Sequence, residues 1–313
     1  PRGCRRLLFV NAVYVPREDY SVEIALDKRY PVYPHYGLGV LSRNLRERGY
    51  ETDLIDLNFD LQENLQENPE EFRYEIWEEW LERRLREFRP DCAALTCMFT
   101  MTHRAMKMTA EFIRIRFPSV AIVAGGVHTS QAARLVLKDC PAIDLAGLFE
   151  GNASFGDMLD VVNGTAGPEK LSQIALLHEG EYIAFTERAP KTAPNVSIRP
   201  FYHNLRIGEY SPMHGRIGVY YWLWPEETRA STVLGNVGCR AQCTFCSVRD
   251  FNGRGVFDRP AVDVVDELEY LRDTYGINHV MWLDDDLFFG DPVRLFNEMA
   301  RRNLGITWDA SNG

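Results

Sequence analysis

The first 165 residues alternate five times between a short apolar run and a segment of helical period. Apolar runs at 6–13, 52–57, 92–99, 120–126 and 143–149 read as strands. Between them lie helical patterns. One covers 36–50, with Leu38, Leu41 and Leu45 on one face and Gly49 as its stop. Another covers 70–88, with Phe72, Ile76, Trp80, Leu81 and Leu85 on one face. The rest cover 104–117, ended by Pro118, then 130–138 and 154–162. Strand and helix alternating at these lengths predict a parallel sheet covered on both faces. Right-handed crossovers make that a doubly wound, Rossmann-like α/β domain, placed at 1–165.

Such sheets bind ligands beyond the carboxyl ends of their strands. After the first strand come Pro34, Gly37 and Leu38, and after the third come Phe99 and Thr100. Gly125, Gly126, His128 and Thr129 follow the fourth, and Glu150 and Gly151 the fifth. Small residues there let backbone approach a large planar or phosphate-bearing ligand. A nicotinamide or flavin fingerprint would need G-x-G-x-x-G directly after strand one, where Asn11-Ala12-Val13-Tyr14-Val15-Pro16 stands instead. A degenerate domain that binds nothing is the plain alternative. His35, His103 and His128 read as hydrogen-bonded loop residues rather than ligands.

Residues 166–230 read as a connector. A hairpin at 174–185 turns at Glu179-Gly180, and Pro190, Pro194, Pro200 and Pro212 punctuate an extended segment. The aromatic run from Tyr220 to Trp224 is expected to pack rather than bind. A second βα series then occupies 231–313: strand 232–237, helix 261–275, strand 280–283, helix 292–303 and strand 306–310. Repeated βα units with ligands at strand carboxyl ends follow barrel logic.

The loop after the first of those strands carries Gly238-Cys239-Arg240-Ala241-Gln242-Cys243-Thr244-Phe245-Cys246. Three thiolates can hold three irons of a cubane cluster whose full complement is four Cys ligands, leaving one iron open to a small molecule. A zinc knuckle is the rival, but zinc sites take four ligands at paired spacings and no fourth Cys or His follows nearby. Asp284, Asp285 and Asp286 end the next strand. Adjacent carboxylates repel unless a cation faces them, whether an amino group or a divalent metal. A helix N-cap is the plain reading, but Asp291 already fills that place.

CxxxCxxC with Phe245 just before its last Cys resembles the radical S-adenosylmethionine (SAM) superfamily. With the Pro-x-x-Gly-Leu start at Pro34, the Gly125-Gly126-Val127-His128 stretch and the turn at Glu150-Gly151, the chain is similar to cobalamin-dependent members of that superfamily. It departs at Glu150-Gly151-Asn152, where the family usually has Gly-Glu-Gly-Glu. It also lacks Asp-x-His-x-x-Gly, so the resemblance implies a cobalamin with no protein His on its lower face and the Phe99–Thr102 loop as its floor.

The resemblance further implies a partial (β/α) six-stranded barrel, with a 4Fe-4S cluster on Cys239, Cys243 and Cys246. SAM would be held by Phe245 and Asp284 to Asp286, and more weakly by Ser311 and Asn312. The chemistry implied is methylation of an unactivated centre through a 5′-deoxyadenosyl radical and methylcobalamin. Cyclisation or rearrangement on the same architecture is the alternative, and an iron–sulfur binding module without catalysis is a further one. A small-molecule or peptide substrate is expected, with an external electron donor such as a flavodoxin or ferredoxin. About half of the barrel is present, so a fragment is expected.

Composition narrows the partners. A net charge of −10 argues against a broad basic surface for nucleic acid. No apolar run approaches the roughly 20 residues of a membrane span. Seven Cys, an odd number with three in one motif, fit a reducing cytoplasm better than a disulfide framework. Cys4, Cys92, Cys97 and Cys140 lie in or beside apolar runs and are expected in the core.

Overall fold

The computed structural model describes residues 3–188, 196–218 and 221–310. Pro190, Pro194, Tyr220, Ser311 and Asn312 lie outside the described residues. The helices are α1 (Val22–Leu26), α2 (Tyr36–Glu47), α3 (Leu57–Glu67), α4 (Ile76–Phe88), α5 (His103–Arg116), α6 (Val127–Gln131), α7 (Ala133–Asp139), α8 (Ser154–Val162), α9 (Val248–Asn252), α10 (Ala261–Tyr275) and α11 (Pro292–Arg302). The strands are β1 (Arg6–Asn11), β2 (Glu51–Asp56), β3 (Cys92–Thr96), β4 (Ala121–Gly125), β5 (Leu145–Gly147), β6 (Ile174–His178), β7 (Glu181–Phe185), β8 (Ala230–Val233), β9 (Asn236–Val237), β10 (Phe257–Asp258), β11 (His279–Trp282) and β12 (Thr307–Ala310). They form two compact units: Pro1–Ser21 with Gly37–Asn204, and Val22–Tyr36 with Leu205–Gly313.

The first unit holds a seven-stranded sheet of order β2-β1-β3-β4-β5-β6-β7. β1 to β5 run parallel, and β6 and β7 close one edge antiparallel. The parallel order reverses between β1 and β3, the switch point where doubly wound sheets open a crevice. β1 lies inside it, and Leu7 to Val10 are wholly buried. The hairpin turns at Glu179 and Gly180, both with positive φ as a type I′ turn requires. Since that hairpin extends the sheet, the boundary expected at residue 165 falls inside this unit.

Helix α3 has no counterpart among the helices expected from apolar spacing. It follows β2 without a loop, because Asp56 ends the strand and caps the helix, accepting from Phe59 N at 3.0 Å. Its buried face mixes Leu57, Phe59, Leu61 and Leu65 with Asn58 and Gln62, and those buried polar groups obscure the apolar period. The helix expected over 70–88 begins only at Ile76, since 68–75 form turns. The segment expected over 130–138 is two short helices broken at Ala132. Cys4, Cys92, Cys97 and Cys140 are buried free thiols, as expected.

The second unit repeats β8–α10–β11–α11–β12, with the three strands parallel in the order β12-β11-β8. The strand expected over 232–237 ends at Val233, and β9 pairs instead with β10. Asp291 caps α11, accepting from Arg294 N at 3.0 Å. Residues 22–36 pack here: Val32 N donates to Arg216 O at 3.0 Å and Arg216 N to Tyr30 O at 2.8 Å. Beneath the strand-end loop Arg259 is almost wholly buried and pairs with Glu267 at 2.6 Å. Its guanidinium also donates to Leu234 O at 2.8 Å and to the Tyr36 hydroxyl at 3.3 Å. Burial, then the Glu267 charge, pushes the Tyr36 phenol well up. No helix among the described residues is long and apolar enough to cross a membrane.

Candidate functional site

The carboxyl ends of β3 and β4 are locked together by backbone. Cys97 N donates to Gly125 O at 2.8 Å, and His128 N donates to Cys97 O at 3.2 Å. Gly126, at φ +107°, makes this possible: a Cβ there would lie 2.6 Å from Cys97 O. At Gly37 and Gly125, by contrast, an added Cβ would meet nothing within 4 Å, so backbone faces open space. The loop after β3 exposes three large apolar side chains, Met98, Phe99 and Met101. Exposed apolar groups in close succession mark a surface that a ligand or partner covers.

Thr100, exposed on that loop, hydrogen-bonds His128 Nδ1 at 3.1 Å. His128 Nε2 meets His103 Nδ1 at 3.0 Å, and His103 Nε2 meets Asp139 Oδ2 at 3.0 Å. Lys107 Nζ also reaches Asp139 Oδ2, at 3.1 Å. Burial, then the neighbouring His103, lowers the His128 pKa. Hydrogen bonds from His103 and Lys107 lower that of Asp139. His103 and His128 are hydrogen-bonded, as expected, but they stand in the first turns of α5 and α6 rather than in loops, while the part of Asp139, from another helix, left no mark in the sequence.

Thr129 and Ser130 tie α6 back to β4 through Gly125 O at 3.2 Å and Gly126 O at 2.8 Å. Ser130 Oγ accepts from Phe149 N at 2.8 Å, which connects the β4 and β5 ends. Glu150 is bonded through its side chain to Asn152 and through its carbonyl to Gln173. A Cβ on Gly151 would touch Leu41 of α2 at 3.4 Å. The first unit therefore brings Phe99, Thr100, Gly125, Gly126, His128, Thr129, Glu150 and Gly151 to one edge of its sheet. Gly37 and Leu38 start α2 in this unit, whereas Pro34 belongs to the second, where its carbonyl accepts from Thr232 Oγ1 at 3.3 Å.

In the second unit, Cys239 is half-buried, Cys243 and Cys246 are exposed, and Phe245 is 91% exposed. The three sulfurs do not lie within 4.8 Å of one another. Sulfurs about 2.3 Å from one tetrahedral zinc would stand closer than that. The loop as folded does not gather the three thiols around a single ion.

The acidic triplet supports this loop. Asp284 is buried, and its two oxygens accept from Gly235 N at 2.8 Å and Asn236 N at 2.7 Å. Burial nonetheless raises its pKa to about 6, against the pull of those amides. Asp285 accepts from Asn252 of α9 at 3.0 Å. Asp286 pairs with Arg240, between the first two cysteines, at 3.1 Å. The positive partner expected from a ligand is supplied at Asp286 by Arg240, and at Asp284 by backbone amides. Gly235 passes so close to Asp284 that a Cβ would lie 2.9 Å from its oxygen.

Comparison with known proteins bears on the fold and the cofactor class. Residues 22–159 match the model of the B12 binding domain. The cytidylyl-2-hydroxyethylphosphonate methyltransferase of Streptomyces wedmorensis is 25% identical over 307 residues, covering 90% of this chain and 56% of that protein. The anaerobic magnesium-protoporphyrin IX monomethyl ester cyclase of Cereibacter sphaeroides is 27% identical over 235 residues, covering 72% and 36%. The chain thus spans about half, or less, of the length of these curated relatives. The solved structure of the radical SAM methyltransferase TsrM from Kitasatospora setae, with cobalamin and a [4Fe-4S] cluster bound, superposes with a TM-score of 0.66 at 17% identity. That match covers 96% of this chain and 51% of TsrM, and it bears on the fold. A match to the B12 binding domain and a CxxxCxxC loop thus stand on one chain, and the chain is similar to cobalamin-dependent radical SAM enzymes.

Proposed function

We propose that this chain holds cobalamin, a 4Fe-4S cluster and SAM, and serves a methyltransferase acting on an unactivated centre. The observation that carries the reading is the three-thiol loop, braced by Asp284 and Asp286, on a chain whose residues 22–159, most of them in the other unit, match a B12 binding domain. Cys239, Cys243 and Cys246 would hold the cluster, with Phe245 beside them. The triplet would act toward SAM partly through the loop it braces, Asp285 standing nearest to α9. Ser311 and Asn312 remain assigned to SAM by family resemblance alone. In the first unit, Met98, Phe99 and Met101 offer an apolar bed for corrin, and the open faces of Gly37 and Gly125 leave it room.

When bound, these cofactors supply radical generation and a transferable methyl group. The protein's part is placement and exclusion of water. The relatives named as methyltransferases support transfer of methyl, and the anaerobic cyclase supports ring formation as a second outcome. The substrate, small molecule or peptide, and a flavodoxin- or ferredoxin-like reductant are part of the proposal, as is a reducing cytoplasmic setting for the exposed thiols.

Anaerobic reconstitution with iron, sulfide and hydroxocobalamin, followed by SAM labelled in its methyl group, tests it. Label recovered in methylcobalamin, or in product made by a chain extended to the relatives' length, is the expected result. A cluster whose electron paramagnetic resonance signal ignores added SAM would reduce the chain to a binding module.

A further inference from the structure

The Thr100–His128–His103–Asp139 chain has a definite polarity, and its outer end points at the ligand loop. Asp139 is a carboxylate, which can only accept, so His103 Nε2 must carry its hydrogen. A neutral His103 then offers a lone pair at Nδ1, and His128 Nε2 must donate to it. A neutral His128 in turn offers a lone pair at Nδ1, so Thr100 must donate its hydroxyl hydrogen inward. Thr100 Oγ1 is left with lone pairs alone on its exposed side, among Met98, Phe99 and Met101. The groups facing the histidines are Thr100 on the loop, Lys107 on α5 and Asp139 at the end of α7.

We infer that Thr100 is a dedicated hydrogen-bond acceptor for a donor N–H or O–H of the bound corrinoid, held in that role by Asp139 acting through His103 and His128. Asp139 and the histidines are positioning residues. The inference rests on the corrinoid reading above and adds the ligand chemistry selected at this spot. Two donors share that chemistry: a peripheral amide of the corrin and a water bound to cobalt. One proton added to the histidine pair reverses the chain. His128 Nδ1 then donates to Thr100, and the threonine hydrogen turns outward toward the ligand's own donor.

The test uses the full chain and hydroxocobalamin, with affinity measured by equilibrium dialysis and the bound spectrum recorded across pH. Thr100→Val is expected to weaken binding roughly five- to tenfold, the scale of one hydrogen bond. Thr100→Ser should restore it, and Asp139→Ala should fall between. In the unaltered chain affinity should drop only as pH falls below the ordinary histidine range, since burial lowers the His128 pKa, and Thr100→Val should flatten that profile. If the donor is cobalt-bound water, the visible bands also move in Thr100→Val. If it is a corrin amide, the bands stay and affinity alone changes. Equal affinity and an unchanged pH profile in Thr100→Val would overturn the inference while leaving corrinoid binding intact. Failure of the unaltered chain to bind hydroxocobalamin would overturn both.

Discussion

The two ligand-bearing edges of this protein are built in opposite ways. In the first unit the loops after β3, β4 and β5 bond to one another through Cys97, Gly126, Ser130 and the histidine chain. Each loop holds its neighbour without help from a ligand. In the second unit the thiol loop from Ala241 to Ser247 is exposed throughout, and its order comes from its flanks, where Asp284 and Asp286 grip Gly235, Asn236 and Arg240 on one side and Asp285 holds Asn252 of α9 on the other. A preformed edge suits a large rigid ligand that must be met at many points. A loop anchored only at its flanks suits a ligand that supplies its own bonds, as metal–thiolate bonds do.

That contrast is sharpest in the response to single substitutions. Cys243→Ala should lower iron and sulfide loading from a full cluster to near nothing while bound corrin stays, since cluster assembly and corrin binding draw on different units. Retention of a SAM-cleaving cluster in this variant would break the assignment of the thiols. Gly126→Ala should do the reverse. Its Cβ would press on the Cys97 carbonyl at a φ of +107°, a strain on the order of 3 kcal/mol. The melting temperature of the first unit should fall by about 5–10 °C, and corrin loading with it, while iron content holds. An unchanged melting curve would mean that the β3–β4 lock is softer than its geometry implies.

The smallest effect concerns Asp284 and pH. Its folded-state pKa of about 6 lies above the ordinary Asp value of about 4, so between those values the folded protein binds a proton that the unfolded chain has released. Stability of the second unit should therefore fall as pH rises from 4 to 6, by about 2–3 kcal/mol from this group. Fluorescence of the neighbouring Trp282 during urea unfolding reports it, and Asp284→Asn should lose that slope. Equal slopes in both proteins would show that the carboxylate is better solvated than its burial suggests.

How much of this was legible beforehand differs with the range of the contact. The strand–helix alternation and the spacing of Cys239, Cys243 and Cys246 are local patterns, and they led to the fold class and the thiol loop. Asp291 was readable as a cap because capping acts across three residues. Helix α3 was not, because Asn58 and Gln62 are buried by partners at Tyr14 and Tyr20. Nor was the service of Asp284 to backbone 48 and 49 residues away. The buried Arg259–Glu267–Tyr36 group joins positions more than 200 residues apart, and no periodicity records such a pairing.

The sequence alone determined the βα rhythm, the acidic balance and the number and spacing of thiols, because propensity and ligand count are properties of neighbours along the chain. Only the tertiary structure decided which carboxylates brace a loop, which glycine must stay glycine and which histidines link Thr100 to Asp139. Those outcomes depend on burial and hydrogen-bond partners that are fixed only when distant segments meet.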